Sequence, residues 1–250
     1  MRRFSAQYII TNAGPPLKRG IVKVAGDGTI AGIEDTGGSP DEREGVEFHN
    51  GIIIPGFVNC HCHLELSHMK DVIPPRTGLA QFLKIFKDAR IDDPDIIEDS
   101  AARADASMYR DGIALCSDIC NTAGTFGIKS RSRIKYISLL EVFGIEASKA
   151  LRRMTEIRQL ADKAEKAGLE WWIVPHAVYS ISLSLFALLR EETLNNRVSS
   201  LHFMETRAEK MLLRDHSGPL MDSYRESELI TGRPETAGSH TEAVMKYVTQ

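Results

Sequence analysis

Residues 55–70 read PGFVNCHCHLELSHMK, and the consecutive positions Cys60, His61, Cys62 and His63 carry only thiols and imidazoles. On an extended strand successive side chains point to opposite faces, so His61 and His63 project to one side while Cys60 and Cys62 project to the other. Two imidazoles one residue apart at the C-terminal end of a strand can chelate a single ion. The two cysteines then become packing residues against neighbouring helices, a common role for buried thiols. Two other readings stay open at this point. One is a structural zinc site that uses Cys and His together, although such sites usually space their thiols two to four residues apart on a turn. The other is that the histidines only make hydrogen bonds.

Outward from this stretch the chain alternates short apolar runs with helical periodicity. The candidate strands are 52–60, 113–118, 136–141, 171–175 and 198–203, and apolar spacing of three and four predicts helices over 79–90, 95–110, 146–167 and 183–195. Repeated βα units imply a parallel sheet with right-handed crossovers, either doubly wound or a barrel. No glycine-rich dinucleotide fingerprint follows the first strand, which favours the barrel. A closed barrel needs eight units and about 250 residues of its own, and this chain has 250 residues in all. The expected fold is therefore α/β, an incomplete (β/α)8 TIM-type barrel of about five βα units over 55–250. Residues 238–250 read as a helix leading towards a further strand.

Residues 1–54 have a different rhythm: YII, GIVKV and TIAGI, with Asp27-Gly28 between the last two as a hairpin signal and 37–45 as a polar loop. A few short strands leave one apolar face uncovered and cannot form a stable sandwich alone, so this segment is expected to pack on the remainder of the chain or on partners from elsewhere.

Composition narrows the function. Apolar residues make up 42% and charged residues 26%, with a formal net charge of −3, which fits a globular chain and suggests neither disorder nor a membrane class. Mixed signs without a basic run argue against nucleic acid as a partner and suit a small neutral or cationic ligand. The start has no apolar core of signal-peptide length, so a cytosolic (cytoplasmic) protein with reduced Cys60, Cys62, Cys116 and Cys120 is expected.

A second cluster, SLHFMETRAEK, carries His202 at the end of the fifth candidate strand and Glu205 three residues later. A metal acidifies a bound water, and a nearby carboxylate such as Glu205 can carry the proton to a leaving group. Taken alone, Glu205 is better read as an acid capping a helix N-terminus.

Three segments in order, PGFVNCHCHLELSH, HAVYS at 176–180 and LHFMET at 201–206, resemble the motifs of the amidohydrolase superfamily. They are most similar to its cytosine and adenosine deaminase-like branch. The wording HCHLELSHMK, with the following TGLAQFLKIF, resembles the aminodeoxyfutalosine deaminases of menaquinone biosynthesis. The resemblance implies that His61, His63 and His202 bind one divalent metal, zinc or alternatively iron. It implies that Glu205 shuttles the proton in hydrolytic deamination of an aminated purine nucleoside, that residues 1–54 are the first part of a composite β-sandwich, and that His176 contacts the substrate, although on the residues alone His176 reads equally well as a hydrogen-bonded histidine at a strand end. Val178 stands where the motif has proline, which affects the loop shape.

Glu65 and Glu141 are further candidates for substrate binding, pointing towards the expected mouth. Asp118 and Asn121 read as an ordinary polar strand end. His49, His68, His216 and His240 read as surface or capping residues, and Trp171-Trp172 as packing. Family members continue with a histidine after a sixth strand and a metal-binding aspartate after an eighth. The chain carries neither, so the resemblance implies a partial chain of a longer enzyme, with an uncovered sheet edge that favours self-association into a homo-oligomer. Other carbon-nitrogen or carbon-chlorine hydrolysis, and a non-catalytic metal- or nucleoside-binding role, are the alternatives.

Overall fold

In a computed structural model the described residues are 1–39, 43–91, 93–227, 242, 244 and 245. The chain divides into two compact units, Met1–Phe57 and Val58–Gln250.

The first unit is a single five-stranded sheet. Its strands are β1 (Arg2–Ile9), β2 (Leu17–Lys18), β3 (Ile21–Val24), β4 (Ile30–Glu34) and β5 (Val46–Ile53). β1 is antiparallel to β2 and β3 and parallel to β5, and β3 is antiparallel to β4. The hairpin between β3 and β4 turns at Gly28, whose φ of 87° favours a residue without Cβ. Asp27 Oδ1 accepts the Thr29 N–H at 3.0 Å and steadies the turn. The expected sandwich segment is thus one mixed sheet, and the polar loop over 37–45 falls partly outside the described residues.

The second unit is built on four strands in the order β6 (Phe57–Cys62), β7 (Ile113–Cys120), β8 (Lys135–Val142), β9 (Glu170–Pro175). β7–β8 and β8–β9 pair in parallel, with Asp118 opposite Ser138 and Glu141 opposite Val174. The helices are α1 (Leu79–Ala89), α2 (Pro94–Arg110), α3 (Phe126–Arg131), α4 (Ala150–Lys166), α5 (Leu183–Thr193), α6 (Arg207–Asp215) and α7 (Pro219–Glu226). This is an incomplete (β/α) barrel preceded by an N-terminal sheet.

Two expectations change. The run 52–60 is not one strand: it breaks after Ile53, and β6 starts at Phe57. Pro55 lies in the break, where a missing N–H and a fixed φ oppose a continuous ladder. The fifth candidate strand, 198–203, contributes a single parallel bridge, Ala177 to His202. No sixth strand is present among the described residues to pair with its other side, so no ladder extends along it. The helix expected over 238–250 lies largely outside the described residues, with Glu242, Val244 and Met245 helical.

Alternation along the strands sorts two layers of core. Leu140, Val142 and Ile173 pack with Met154, Ile157 and Ala161 of α4 and Leu185 and Leu189 of α5. Ile119, Ile137, Leu139 and Val174 pack together in a separate cluster with Trp172 against them. Trp171 and Trp172 are packing residues, as expected, and Trp171 Nε1 donates to Glu165 at 2.9 Å. Asp93 caps α2 by accepting the Asp95 and Ile96 N–H groups, with Pro94 in the first turn. No helix among the described residues is long and apolar enough to cross a membrane.

Leu140 is fully buried on β8, whereas Leu151 on α4 is 73% exposed. Leu140→Ala is expected to cost about 2–5 kcal/mol and Leu151→Ala no more than about 0.5 kcal/mol in urea unfolding.

Candidate metal centre

Parallel pairing brings the C-terminal ends of β7, β8 and β9 to one rim, where His61 and His63 also meet His202. His61 is the penultimate residue of β6, and His63 lies just beyond the strand with φ −123° and ψ 76°, preceding a 3-10 turn over Leu64–Met69. His61 Nε2 and His63 Nε2 are 3.2 Å apart. The His61 and His202 rings are 4.8 Å apart, nearly perpendicular. One ligand atom from each of His61, His63 and His202 lies within 4.8 Å of the others.

These donors fit a divalent ion. Metal–nitrogen bonds of about 2.0–2.1 Å in a tetrahedral set separate the nitrogens by roughly 3.3 Å, close to the spacing of His61 and His63. His202 reaches this rim through backbone: its N–H donates to the His176 carbonyl at 2.8 Å, and its Nδ1 lies 3.0 Å from the same oxygen. A ring whose Nδ1–H is held by a carbonyl presents a free Nε2, the usual arrangement for a ligating histidine. Glu141 Oε1 lies 3.7 Å from His202 Nδ1. The Nδ1 of His63, in contrast, is buried without a hydrogen-bond partner among the described residues.

Burial sets the protonation states. It is the main cause holding the His63 imidazole down to about 4, with His61 and His202 adding to it. The His176 imidazole is pulled to about 3, again chiefly by burial. Burial also lowers His61, with His202 adding to it and the Asp118 and Glu205 carboxylates opposing. At neutral pH the depressed His61, His63 and His176 rings therefore keep a free lone pair. Glu141 is driven the other way, to about 7, by burial against the opposing Asn121 hydrogen bond and His202.

His176 follows β9, and its Nδ1 pairs with Ser180 Oγ at 2.6 Å, which leaves Nε2 towards the rim cluster. The His176 and His202 rings are 5.0 Å apart. Glu141 is 5% exposed on the same strand face as Ile137 and Leu139; Asn121 Nδ2 donates to its Oε2 at 3.2 Å, and its Oε1 has no hydrogen bond.

Glu205 does not cap α6. Thr206 does, accepting the Glu209 N–H at 3.2 Å, while the Glu209 carboxylate accepts the Glu205 N–H at 2.7 Å. The Glu205 side chain is instead free to accept the Tyr179 hydroxyl at 2.8 Å. Tyr224 of α7 donates to the Tyr179 carbonyl at 3.0 Å. Met204 adopts a left-handed φ of 55°, strained for a side chain of its size. A cleft of about 370 Å³ opens beside Glu205, lined among others by Arg76, Leu79 and Phe82.

Glu65 is not available for the substrate contact expected of it. It is 4% exposed, and its two oxygens accept the Asn121 and Thr122 N–H groups and the Thr122 hydroxyl. A carboxylate two residues past a ligand pair has no way to signal in sequence which loop it will meet. Asp118 is fully buried and not part of a polar loop, because it faces the helix side of β7 with Cys116 and Cys120. Cys62 packs beside Leu64 and Cys116 as expected, but Cys60 is exposed, since β6 is the edge strand among the described residues. All four cysteines are free. His49 is exposed, His216 closes α6 in the left-handed region, and His240 lies outside the described residues. His68 departs from expectation: it is half-buried, and neither ring nitrogen has a hydrogen-bond partner among the described residues.

Sequence reasoning missed Tyr179 and Glu209. The first was visible inside HAVYS, and the second in the spacing Thr206-x-x-Glu209, a capping-box signature.

The sequence profile of the amidohydrolase family matches residues 52–231. The chain belongs to the amidohydrolase family. Among solved structures, this amidohydrolase is similar to the aminofutalosine deaminase of Helicobacter pylori in complex with methylthio-coformycin, at 18% identity and a TM-score of 0.75, covering 94% of this chain and 58% of that one. It is also similar to an atrazine chlorohydrolase of Arthrobacter aurescens complexed with zinc, at 19% identity and a TM-score of 0.67, covering 86% and 55%. A guanine deaminase of C. acetobutylicum with bound guanine gives 18% identity and a TM-score of 0.67, covering 98% and 65%. The chain thus spans 55–65% of these proteins, and at such identities the likeness shows the fold. No curated protein matches it.

A histidine with a depressed folded pKa is protonated first in the unfolded chain, so its contribution to stability is full above about 6.5 and lost as pH falls towards the folded value. His176→Gln is therefore expected to lose less stability than the wild-type chain between pH 6.5 and 4. Urea unfolding at the two pH values checks this, and equal losses would contradict it.

Proposed function

We propose that the protein is a metal-dependent hydrolase that deaminates an adenine-type nucleoside, such as aminodeoxyfutalosine. The observation that carries this reading is the meeting of His61, His63 and His202 at ligand spacing, with Glu205 near enough to His61 to favour its protonated form. Zinc is the ion proposed, with iron as the alternative, because imidazole ligands suit both. When bound, such an ion supplies Lewis-acid chemistry at the reacting carbon and water.

The chain's own residues supply the remainder. Glu205 accepts a proton from the attacking water and delivers it to the departing amine. Tyr179 donates to its Oε1, so Oε2 is the oxygen that carries the proton. The Glu209 carboxylate holds the Glu205 backbone, which limits where that oxygen travels. His176, with Nδ1 committed to Ser180, offers Nε2 to the substrate. Glu141 offers Oε1, which has no hydrogen-bond partner among the described residues, at the same rim, and its raised pKa lets it present a proton to a ring nitrogen near neutral pH.

The finer substrate assignment is supported by the wording HCHLELSHMK and by the likeness to an aminofutalosine deaminase fold. It carries with it a place in menaquinone biosynthesis and in the cytosol, for which four free cysteines are the expected state.

Zinc titration of the chain is expected to reach about one ion per molecule, with His61→Ala and His202→Gln each weakening binding at least tenfold. Glu205→Gln is expected to bind zinc like the wild-type chain while lowering ammonia release from adenine-type nucleosides by about 10²–10⁴-fold. Tyr179→Phe lowers kcat about tenfold with KM little changed. A chain that binds no divalent metal would end this reading.

A further inference from the structure

The turn after the two β6 histidines is fastened to the end of β7 by hydrogen bonds that run both ways. Asp118 Oδ1 accepts the N–H of Leu64, the residue after His63, at 2.7 Å. In return, Glu65 reaches across and accepts Asn121 N–H at 3.1 Å, Thr122 N–H at 3.0 Å and the Thr122 hydroxyl at 2.7 Å. Leu64 is fully buried and Glu65 is 4% exposed, so the Asp118 bond to the Leu64 N–H is shielded from water and the Glu65 carboxylate is largely so.

Asp118 is itself held from behind. Lys129 of α3 donates to its Oδ2 at 3.0 Å, and also to Ser138 Oγ and Cys120 Sγ at 2.9 Å each; the Lys129 and Asp118 side chains are 0% and 1% exposed. Burial alone would lower the Lys129 pKa, but Cys120 and Asp118 outweigh it and raise it, so the ammonium stays charged. A buried ion pair is weak evidence for stability, because its desolvation offsets much of the attraction. Its geometric effect here is definite: with Oδ2 engaged by Lys129, Oδ1 is aimed at the turn.

The His61–His63 pair needs such support. β6 is the edge of the sheet among the described residues. His63 lies past its last ladder residue, and no hydrogen bond among the described residues holds its Nδ1. Its ring direction is then set by the backbone that follows, at residues 64 and 65. We propose that Asp118 and Glu65 are positioning residues that hold His61 and His63 at ligand spacing before an ion arrives. This rests on the reading of the three histidines as metal ligands.

The test is competitive titration of the 250-residue chain with zinc ion against a chromophoric chelator, at a temperature where circular dichroism shows each variant folded. Glu65→Ala is expected to weaken zinc binding about 10–100-fold, the range seen when outer-shell partners of metal ligands are removed. Glu65→Gln keeps an acceptor and recovers part of the loss. Thr122→Val removes only the hydroxyl contact and weakens zinc severalfold, so it carries the test if Glu65→Ala does not fold. Ser138→Ala touches the Lys129 end alone and leaves zinc affinity within about twofold, whatever its effect on Tm. Folded Glu65→Ala or Thr122→Val chains that bind zinc as tightly as the wild type would overturn the proposal. A Ser138→Ala loss equal to that of Glu65→Ala would do so too, because it would mean general loosening. A wild-type chain that takes up no zinc would instead overturn the metal reading of the histidines, and the proposal with it.

Discussion

Parallel pairing of the second unit's strands is the constraint on which the site depends. Strands that run the same way must end on the same rim, and each crossover returns the chain to the opposite side before the next strand begins. Residues scattered over positions 61 to 202 are thereby delivered to one place: His63 after β6, Asn121 after β7, Glu141 near the end of β8, His176 after β9. His202 joins them through one backbone bridge to Ala177 and its bond to the His176 carbonyl, without a strand of its own. The rim also explains the depressed imidazoles, since crowding several rings into a half-buried space disfavours any proton on them.

Polar residues around the rim divide by strand face. Glu141 shares a face with Ile137 and Leu139, and one of its oxygens has no hydrogen-bond partner among the described residues. Asp118 points the opposite way, into the layer beneath the helices, where Lys129 and Cys120 donate to its carboxylate. One residue of offset along a strand therefore separates a group that can meet a ligand from one that can only act through its neighbours. Beyond the 198–203 segment the carboxylates divide by reach instead: the Glu205 side chain meets Tyr179, while Glu209, four residues on, turns back to the backbone.

Much of the fold was legible. The helices α1, α2, α4 and α5 and the strands β7 to β9 announced themselves through apolar spacing, because packing on a sheet demands one apolar helix face and a continuous apolar strand. The short α3, α6 and α7 did not, since six to nine residues give too few turns for a period to register. The split at Pro55 was written in the proline itself and was overridden by the apolar run around it. The 198–203 segment looked like a strand, but a strand exists only through its neighbours, and among the described residues it has one bridge.

The sequence by itself determined the chemistry available: two imidazoles of one alternation phase at His61 and His63, a third at His202, a carboxylate three residues later, and motifs in the order of the amidohydrolase family. Those are local properties of residue type and spacing, which need no partner to be read. Only the tertiary structure decided what each carboxylate does. Glu65 and Asp118 fasten a turn, Glu209 holds a backbone, and Glu141 and Glu205 remain near the rim, because a carboxylate's role is fixed by which N–H groups and cations the fold brings within hydrogen-bond reach. Those partners lie up to 57 residues away along the chain.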